Sequence, residues 1–550
     1  MTIEYYDLGT HSWPISTTSP TAQQWFDRGL IWMYGFNHEE AIACFTRAIE
    51  ADPECAMAYW GVAYAVGPNY NKPWGKFDPT DLSQSLATAE EYLHRALALA
   101  ETVTEPERLV IQASTARYQG RTAGDFAQWN ADYARAMGAV YERFPDDVEI
   151  AALYADSAMN VNAREFWKKD GLPGVLGGLE IQYILERALE QPGGQYHPGA
   201  LHLYIHAMEC SPYPERALPA ADRLRGLVPD AGHLNHMPSH IDGVCGDYVS
   251  VLASNSQAVL ADRKWLEREG NMNFYTLYRL HNLHFKIFGS MMLGQSVLAL
   301  EAANEMAETI PESLLRVEVP PMADWLEGSV SMRLHVLIRF GRWQEIIDTP
   351  LPADQKLYCV TTAMTHYAKG VAYAATGRIE DAEREKHAFY ETVPAVPPTR
   401  EVFETLCVDL LTVAAAMLEG EIEYRKGNYE VAFDHLRNAV AINDALRSEE
   451  PWGQMQPPRH ALGALLLEQG HYEEAEDVYR TDLGLNDKVG RMFQRRNNLW
   501  SLHGLRECLM ASGRHGEAGI IAKQFEFASA RADVPIKASC CCRTTAFAAV

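Results

Sequence analysis

The feature that most constrains this chain is a spacing that recurs along it. From Ala22 onward, Trp25, Gly29, Ala41, Phe45, Ala48 and Pro53 fall at positions 4, 8, 20, 24, 27 and 32 of a 34-residue unit. A small residue at position 8 lets a first helix lie close to a second. Small or aromatic residues at 20, 24 and 27 fill the seam, and the proline stops the second helix. The phase returns downstream. Gly370 is followed by Ala382, Gly420 by Ala432, Leu436 and Ala439, and Gly463 by Ala475 and Tyr479. Weaker copies end at Pro229 (with Ala217 and Ala221) and at Pro311 (with Ala299 and Ala303). Unrelated hairpins would not keep one phase in so many places, so an all-α repeat array is expected.

The pattern resembles the tetratricopeptide repeat family, with six of its eight signature positions present in the first unit. The resemblance implies a superhelix of helical hairpins, an α-solenoid. A chain of 550 residues exceeds one ordinary core, which suits such an array. The expected organisation is an N-terminal segment 1–21, repeats over 22–196, central histidine-rich repeats over 197–311, further repeats over 312–530 and a tail 531–550. One continuous superhelix would hold them all. Two segments interrupt the period, Asn69 to Asp81 and Lys168 to Gly178. Such insertions serve as binding loops or are tolerated surface additions.

Composition excludes several functions. Lys+Arg 48 against Asp+Glu 73 gives a net charge of −25, and no basic stripe carries interleaved aromatics, which disfavours nucleic acid. No apolar run reaches the ~18 residues of a membrane span, and Met1 to Asp7 has no secretory pattern. A cytoplasmic address is expected. Most of the ten cysteines are scattered singly, as reduced, partly buried thiols would be. Cys540, Cys541 and Cys542 are adjacent; they read as soft ligands for Cu(I) or, preferably, as an incidental surface tail.

The chemistry concentrates in the histidines. His202 and His206 occupy positions 5 and 9 of one unit; His236 and His240 occupy the same positions of the next, with His233 at 2; His281 and His284 fall at 2 and 5 of a third. By resemblance to the repeat family, positions 2, 5, 9, 12 and 13 line a concave groove, and Glu209 at 12 shares that face. Residues i and i+4 share a helix face about 6 Å apart, and packed helices run roughly 8–10 Å apart. Imidazoles from three first helices of consecutive units can therefore converge on ions. Metal ligation is the leading reading, with peptide recognition and structural packing as the others; His197 and His233 are left open as ligands. Imidazole suits copper, iron, zinc or nickel, and the scarcity of carboxylates argues against calcium and magnesium. Copper is favoured, as one ion or a pair. His38, in the turn after the first helix, reads as capping or packing, and Asn69 and Asn71 as rim or turn residues.

The strings Tyr34-Gly35-Phe36-Asn37-His38, Ala58-Tyr59-Trp60-Gly61, Gly67-Pro68-Asn69-Tyr70-Asn71, HPG followed by IHAxE, AGHLxHMPSHI and HNxHF resemble those of poorly characterised bacterial and fungal tetratricopeptide proteins. That likeness supplies no reaction. The expected function is a metal-dependent oxidoreductase using O₂ on a small organic molecule, with Glu209 or Tyr204 assisting proton transfer. A peptide-binding scaffold without catalysis and a zinc hydrolase are the alternatives.

Overall fold

The structure, a computed structural model, describes residues 5–120, 122–169, 171–174, 177–446 and 453–548. It is built from helices, with one two-stranded antiparallel hairpin, Glu401–Val402 against Thr405–Leu406. Contacts divide the chain into two units, Met1–Ile241 with Gln257–Tyr275, and Asp242–Ser256 with Thr276–Val550. No helix of the described residues is long and apolar enough to cross a membrane.

The first unit opens with α1 (Pro20–Tyr34), α2 (His38–Ala51), α3 (Ala56–Ala65) and α4 (Pro79–Ala98). It continues through α5 (Glu105–Ala113), α6 (Phe126–Arg143), α7 (Val148–Met159), α8 (Gly178–Glu190), α9 (Pro198–Glu209) and α10 (Leu218–Leu224). The short α11 (Gly232–His236) follows, then α12 (Pro238–Cys245), whose first residues belong to this unit. Each of α1 to α4 packs on its predecessor, as a hairpin array requires. The repeat phase has a steric cause visible at Phe45. A Cβ on Gly29 would sit 2.6 Å from the Phe45 ring, and one on Gly61 would sit 2.7 Å from it. One aromatic ring thus wedges between the glycines of α1 and α3.

Residues 5–19 are a strap rather than a helix. Trp13 packs against Phe26 and Trp60, and the Ser16 backbone N–H donates to Glu107 at 2.7 Å. The strap's far end is held where the Asp7 N–H donates to Asp230 at 2.8 Å. The first insertion is an ordered loop as far as the start of α4. In it, Asn69 accepts N–H bonds from Asn71 and Lys72, a turn role. Just before the second, the Trp167 indole donates to the Ala207 carbonyl at 2.7 Å, which pins the start of that loop to α9.

The second unit repeats the same packing logic. Helices Cys359–Ala375, Ile379–Thr392, Cys407–Arg425 and Tyr429–Ala445 pack in series, followed by Pro458–Glu468, Tyr472–Asp482, Leu499–Ala511 and His515–Ala528. Tyr479 wedges between Gly463 and Gly504 as Phe45 does between its glycines; Cβ atoms there would lie 2.5 and 2.2 Å from its ring. The C-terminal segment departs from the expected surface tail. It lies against these helices, with Ala538, Ser539 and Cys542 buried and the sulfurs of Cys540 and Cys542 bonded to each other. The other eight cysteines stand outside this bond.

Candidate metal centre

His197, which caps α9 through its Nδ1, and Pro198 at the first turn start the helix that carries His202, His206 and Glu209. Spacings of four and three residues put those side chains on one face. Gly199 is required there, since a Cβ would lie 2.5 Å from the Tyr34 ring of α1. The histidines of the next segment do not share one helix as expected. Pro238 has no N–H and cannot continue α11, so the chain breaks at Met237 and restarts as α12. His236 and His240 still meet across the break, with their Nε2 atoms 2.7 Å apart.

Five histidines gather in the first unit, all at most 3% exposed: His202, His206, His233, His236 and His240. One ring nitrogen from each of His202, His206 and His233 lies within 4.8 Å of the others. Ring centroids are 4.8 Å apart for His202 and His206, 4.9 Å for His202 and His233, and 5.7 Å for His206 and His240. Burial, reinforced by neighbouring imidazoles, pushes His202 and His233 well below the usual histidine range. They are neutral, the form that ligates.

The tautomers follow from the partners. The His202 Nδ1 lies 2.6 Å from the Tyr34 carbonyl, which can only accept, so Nδ1 carries the proton and Nε2 carries the lone pair. That Nε2 is buried and has no hydrogen-bond partner. The Glu209 carboxylate receives two rings: His206 Nδ1–H donates to Oε1 at 2.9 Å, and His240 Nδ1–H donates to Oε2. Both histidines thereby hold Nε2 as the lone-pair nitrogen, and in His240 that lone pair accepts the His236 Nε2–H at 2.7 Å. A carboxylate or carbonyl behind each imidazole is the arrangement that orients metal-ligating histidines.

Aromatic rings close over this cluster. Phe36 sits in the turn between α1 and α2 with a left-handed φ of 57°, a strained conformation for a non-glycine residue, and its ring lies 4.5 Å from His202. Tyr70 of the first inserted loop lies 4.5 Å from His206 and 5.6 Å from Phe166, just before the second. Sequence reasoning quoted Phe36 and Tyr70 inside motif strings and gave neither a role. The signal available was an aromatic directly before an asparagine in each string, Phe36-Asn37 and Tyr70-Asn71.

Two expected catalytic groups stand differently. Glu209 has both oxygens occupied by histidine N–H groups, so it orients rings and is not a free proton carrier. Tyr204 lies two residues from both His202 and His206, on the opposite helix face, and its hydroxyl donates to Glu186 at 2.6 Å. It does not join the cluster. His38 donates Nδ1–H to the Ala65 carbonyl at 2.8 Å, a packing role, and Asn71 accepts from Arg164 at 3.0 Å.

A second histidine–acid group in this unit has the opposite polarity. His11 Nε2 lies 2.7 Å and His197 Nε2 3.1 Å from Oε1 of Glu149, while the Tyr34 hydroxyl donates to Oε2. Because the Ala200 N–H donates to His197 Nδ1 at 3.0 Å, the His197 proton must sit on Nε2, facing the carboxylate. Burial pushes Glu149 upward, but His197 and His11 outweigh it and hold the carboxyl well below the usual range. The group is a closed charge cluster rather than a ligand set. His11 also borders a polar cleft of about 750 Å³ beneath the strap.

His281 and His284 belong to the second unit, on the helix Tyr275–Met292. His284 is fully buried, neither ring nitrogen has a hydrogen-bond partner, and burial with His335 nearby lowers its pKa to about 3. His281 is half-buried against Phe285 and Phe403.

Residues 22–55 match the tetratricopeptide repeat family. No curated protein matches the sequence. Among solved structures, the Cut9–Hcn1 heterotetramer of the APC/C is similar at 10% identity, over 96% of this chain and 76% of that one, with a TM-score of 0.28. The human IFIT1 dimer with m7Gppp-AAAA is similar at 13% identity, over 87% of this chain and 90% of that one, with a TM-score of 0.32. Those scores are too low to argue from. At the level these findings reach, the chain is an all-α helical-repeat protein whose first hairpin, residues 22–55, matches the tetratricopeptide repeat.

Proposed function

We propose that the first unit holds a transition-metal ion on His202, His206 and His233, with His236 and His240 as a neighbouring pair that can donate once the proton shared between their Nε2 atoms is displaced, and that the protein is a metal-dependent oxidoreductase. The observation that supports this most is Glu209, whose two oxygens each fix one histidine with its Nε2 lone pair turned away from the carboxylate. The donor set is all imidazole, and copper stands highest in intrinsic affinity for such ligands, with iron and zinc behind it. A copper ion held this way would supply redox chemistry with O₂ towards a small organic molecule. The chain's own residues hold the rings neutral by burial, fix their tautomers through Tyr34 and Glu209, and exclude water with Phe36, Tyr70 and Phe166.

Metal analysis of protein purified without an affinity tag tests the proposal. Copper near stoichiometric amounts, with a dioxygen-dependent visible band, supports the oxidoreductase; zinc alone would point to hydrolysis. A protein that takes up no ion would leave the repeat match at 22–55, and with it a protein-interaction scaffold, as the reading to pursue.

A further inference from the structure

The last residues of the chain are held as a bound peptide is held. Within the second unit, the segment from Ser539 to Thr545 runs across helices Met332–Arg339, Cys407–Arg425, Pro458–Glu468, Tyr472–Asp482 and Leu499–Ala511. Two arginines read its backbone: Arg339 donates to the Ser539 carbonyl at 2.6 Å, and Arg425 donates to the Cys542 carbonyl. The Ser539 hydroxyl donates to the His460 carbonyl at 2.9 Å and stands 2.6 Å from the Tyr479 hydroxyl, all in buried surroundings. Side-chain recognition continues at Arg543, which donates to both oxygens of Glu507 at 3.0 and 2.9 Å, and at Thr545, which donates to Glu468. Upstream, the Asp533 carboxylate caps the helix Ser296–Glu308 by accepting from the Ser296 and Val297 N–H groups at 2.7 and 3.0 Å.

The segment is itself a turn, closed by the Cys540–Cys542 bond and by the Arg543 N–H donating to the Cys540 carbonyl at 3.2 Å; its carbonyls are read by fixed donors and its side chains at intervals, as in a recognised peptide. Most contacts go to side chains at the ends of separate packed helices. Nothing in this arrangement requires the peptide to be covalently attached. We propose that this face of the second unit is a peptide-recognition surface, occupied in the same molecule by residues 539–545. Its partner is a turn-forming segment with a small hydroxyl residue followed four positions later by an arginine. The tail then sets a threshold. Tethering gives it an effective concentration in the millimolar range, so a partner must outcompete it or wait for its release.

The test uses the full chain and a fluorescent peptide of residues 537–546 closed by the Cys540–Cys542 disulfide, with Cys541→Ser to allow one pairing alone. Fluorescence anisotropy should show no uptake by the wild-type protein at micromolar peptide. Arg543→Glu in the protein should release the tail and admit the peptide, with affinity raised at least about tenfold over wild type. The same peptide carrying Arg543→Glu should fail on that variant. Glu507→Arg in the protein should reverse the preference, admitting the Arg543→Glu peptide over the unmodified one. Hydrogen exchange at residues 539–543 reads release of the tail directly. A tail that stays protected in both protein variants, a released tail whose face takes up no peptide, or uptake indifferent to residue 543 would each overturn the proposal.

Discussion

Two phenylalanines share an unusual backbone and sit over histidines in different units. Phe36 in the first unit has φ 57° and packs on His202; Phe403, at the tip of the small hairpin in the second, has φ 56° and packs 4.9 Å from His284. The aromatic covers are alike, but what stands behind the rings is not. His202 is anchored by a carbonyl, and His206 and His240 by a carboxylate, so each presents a defined lone pair. His284 is anchored by nothing, and no partner selects its tautomer. The two units therefore differ in whether a group behind the ring fixes which nitrogen carries the lone pair.

That difference can be broken in both units. The largest effect should come from Glu149→Ala, which strands the Tyr34, His11 and His197 donors in the first unit and should cost about 3–5 kcal/mol of stability in denaturant titrations. Refolded protein should still take up metal, because this cluster points protons, not lone pairs, at its centre. Glu209→Gln should lower metal affinity by about 10–100-fold, read by competition with a chelator, because an amide cannot accept from both rings. An unchanged affinity would remove Glu209 from the account.

Acidification should weaken the fold by a predictable route. Burial holds His38 at about 3, with Arg117 adding to it, and His335 at about 4; burial also holds His460 at about 4 against the pull of Asp482. The unfolded chain takes up these protons near pH 6.5, which the native state refuses. Stability is thus intact above about pH 6.5 and falls towards pH 4, by ~1.4 kcal/mol per pH unit for each such histidine. Urea midpoints at pH 7.5, 6 and 5 would measure it, and a flat profile would contradict the burial argument. The smallest effect belongs to the unanchored and off-face groups. His284→Leu removes two unsatisfied nitrogens and should leave stability within about 1 kcal/mol of wild type and metal content unchanged. Tyr204→Phe should likewise leave metal content unchanged, and a loss in either variant would reinstate that residue at the site.

What the sequence made legible was local and periodic. Gly29 and Phe45 could be placed because a ring seated on a glycine one helix earlier imposes a fixed spacing, which Gly463 and Tyr479 repeat; the second glycine under each ring, Gly61 or Gly504, keeps no common spacing and was not placed. His202, His206 and Glu209 followed from helix geometry, and the same geometry of about 100° per residue already puts Tyr204 on the opposite side. Phe36 and Tyr70, the latter backed by Phe166, could not be found this way, since they reach the histidines from a turn and a loop far along the chain. The orienting contact from Tyr34 is a backbone carbonyl, which no side-chain pattern encodes. Pro238 was visible, and its break between α11 and α12 follows from its missing N–H. The docking of Ser539 to Thr545 depends on long-range polar contacts that no local pattern reveals.

The central claim is that the imidazoles of the first unit are fixed to receive an ion. Untagged protein, dialysed free of metal and titrated with Cu(II) and then Zn(II), tests it most directly when set beside a His202→Ala/His206→Ala variant of matching circular dichroism. The account predicts tight, near-stoichiometric uptake by the wild type, copper preferred to zinc, and its loss in the variant. Equal uptake by the two proteins, or none by either, would contradict it.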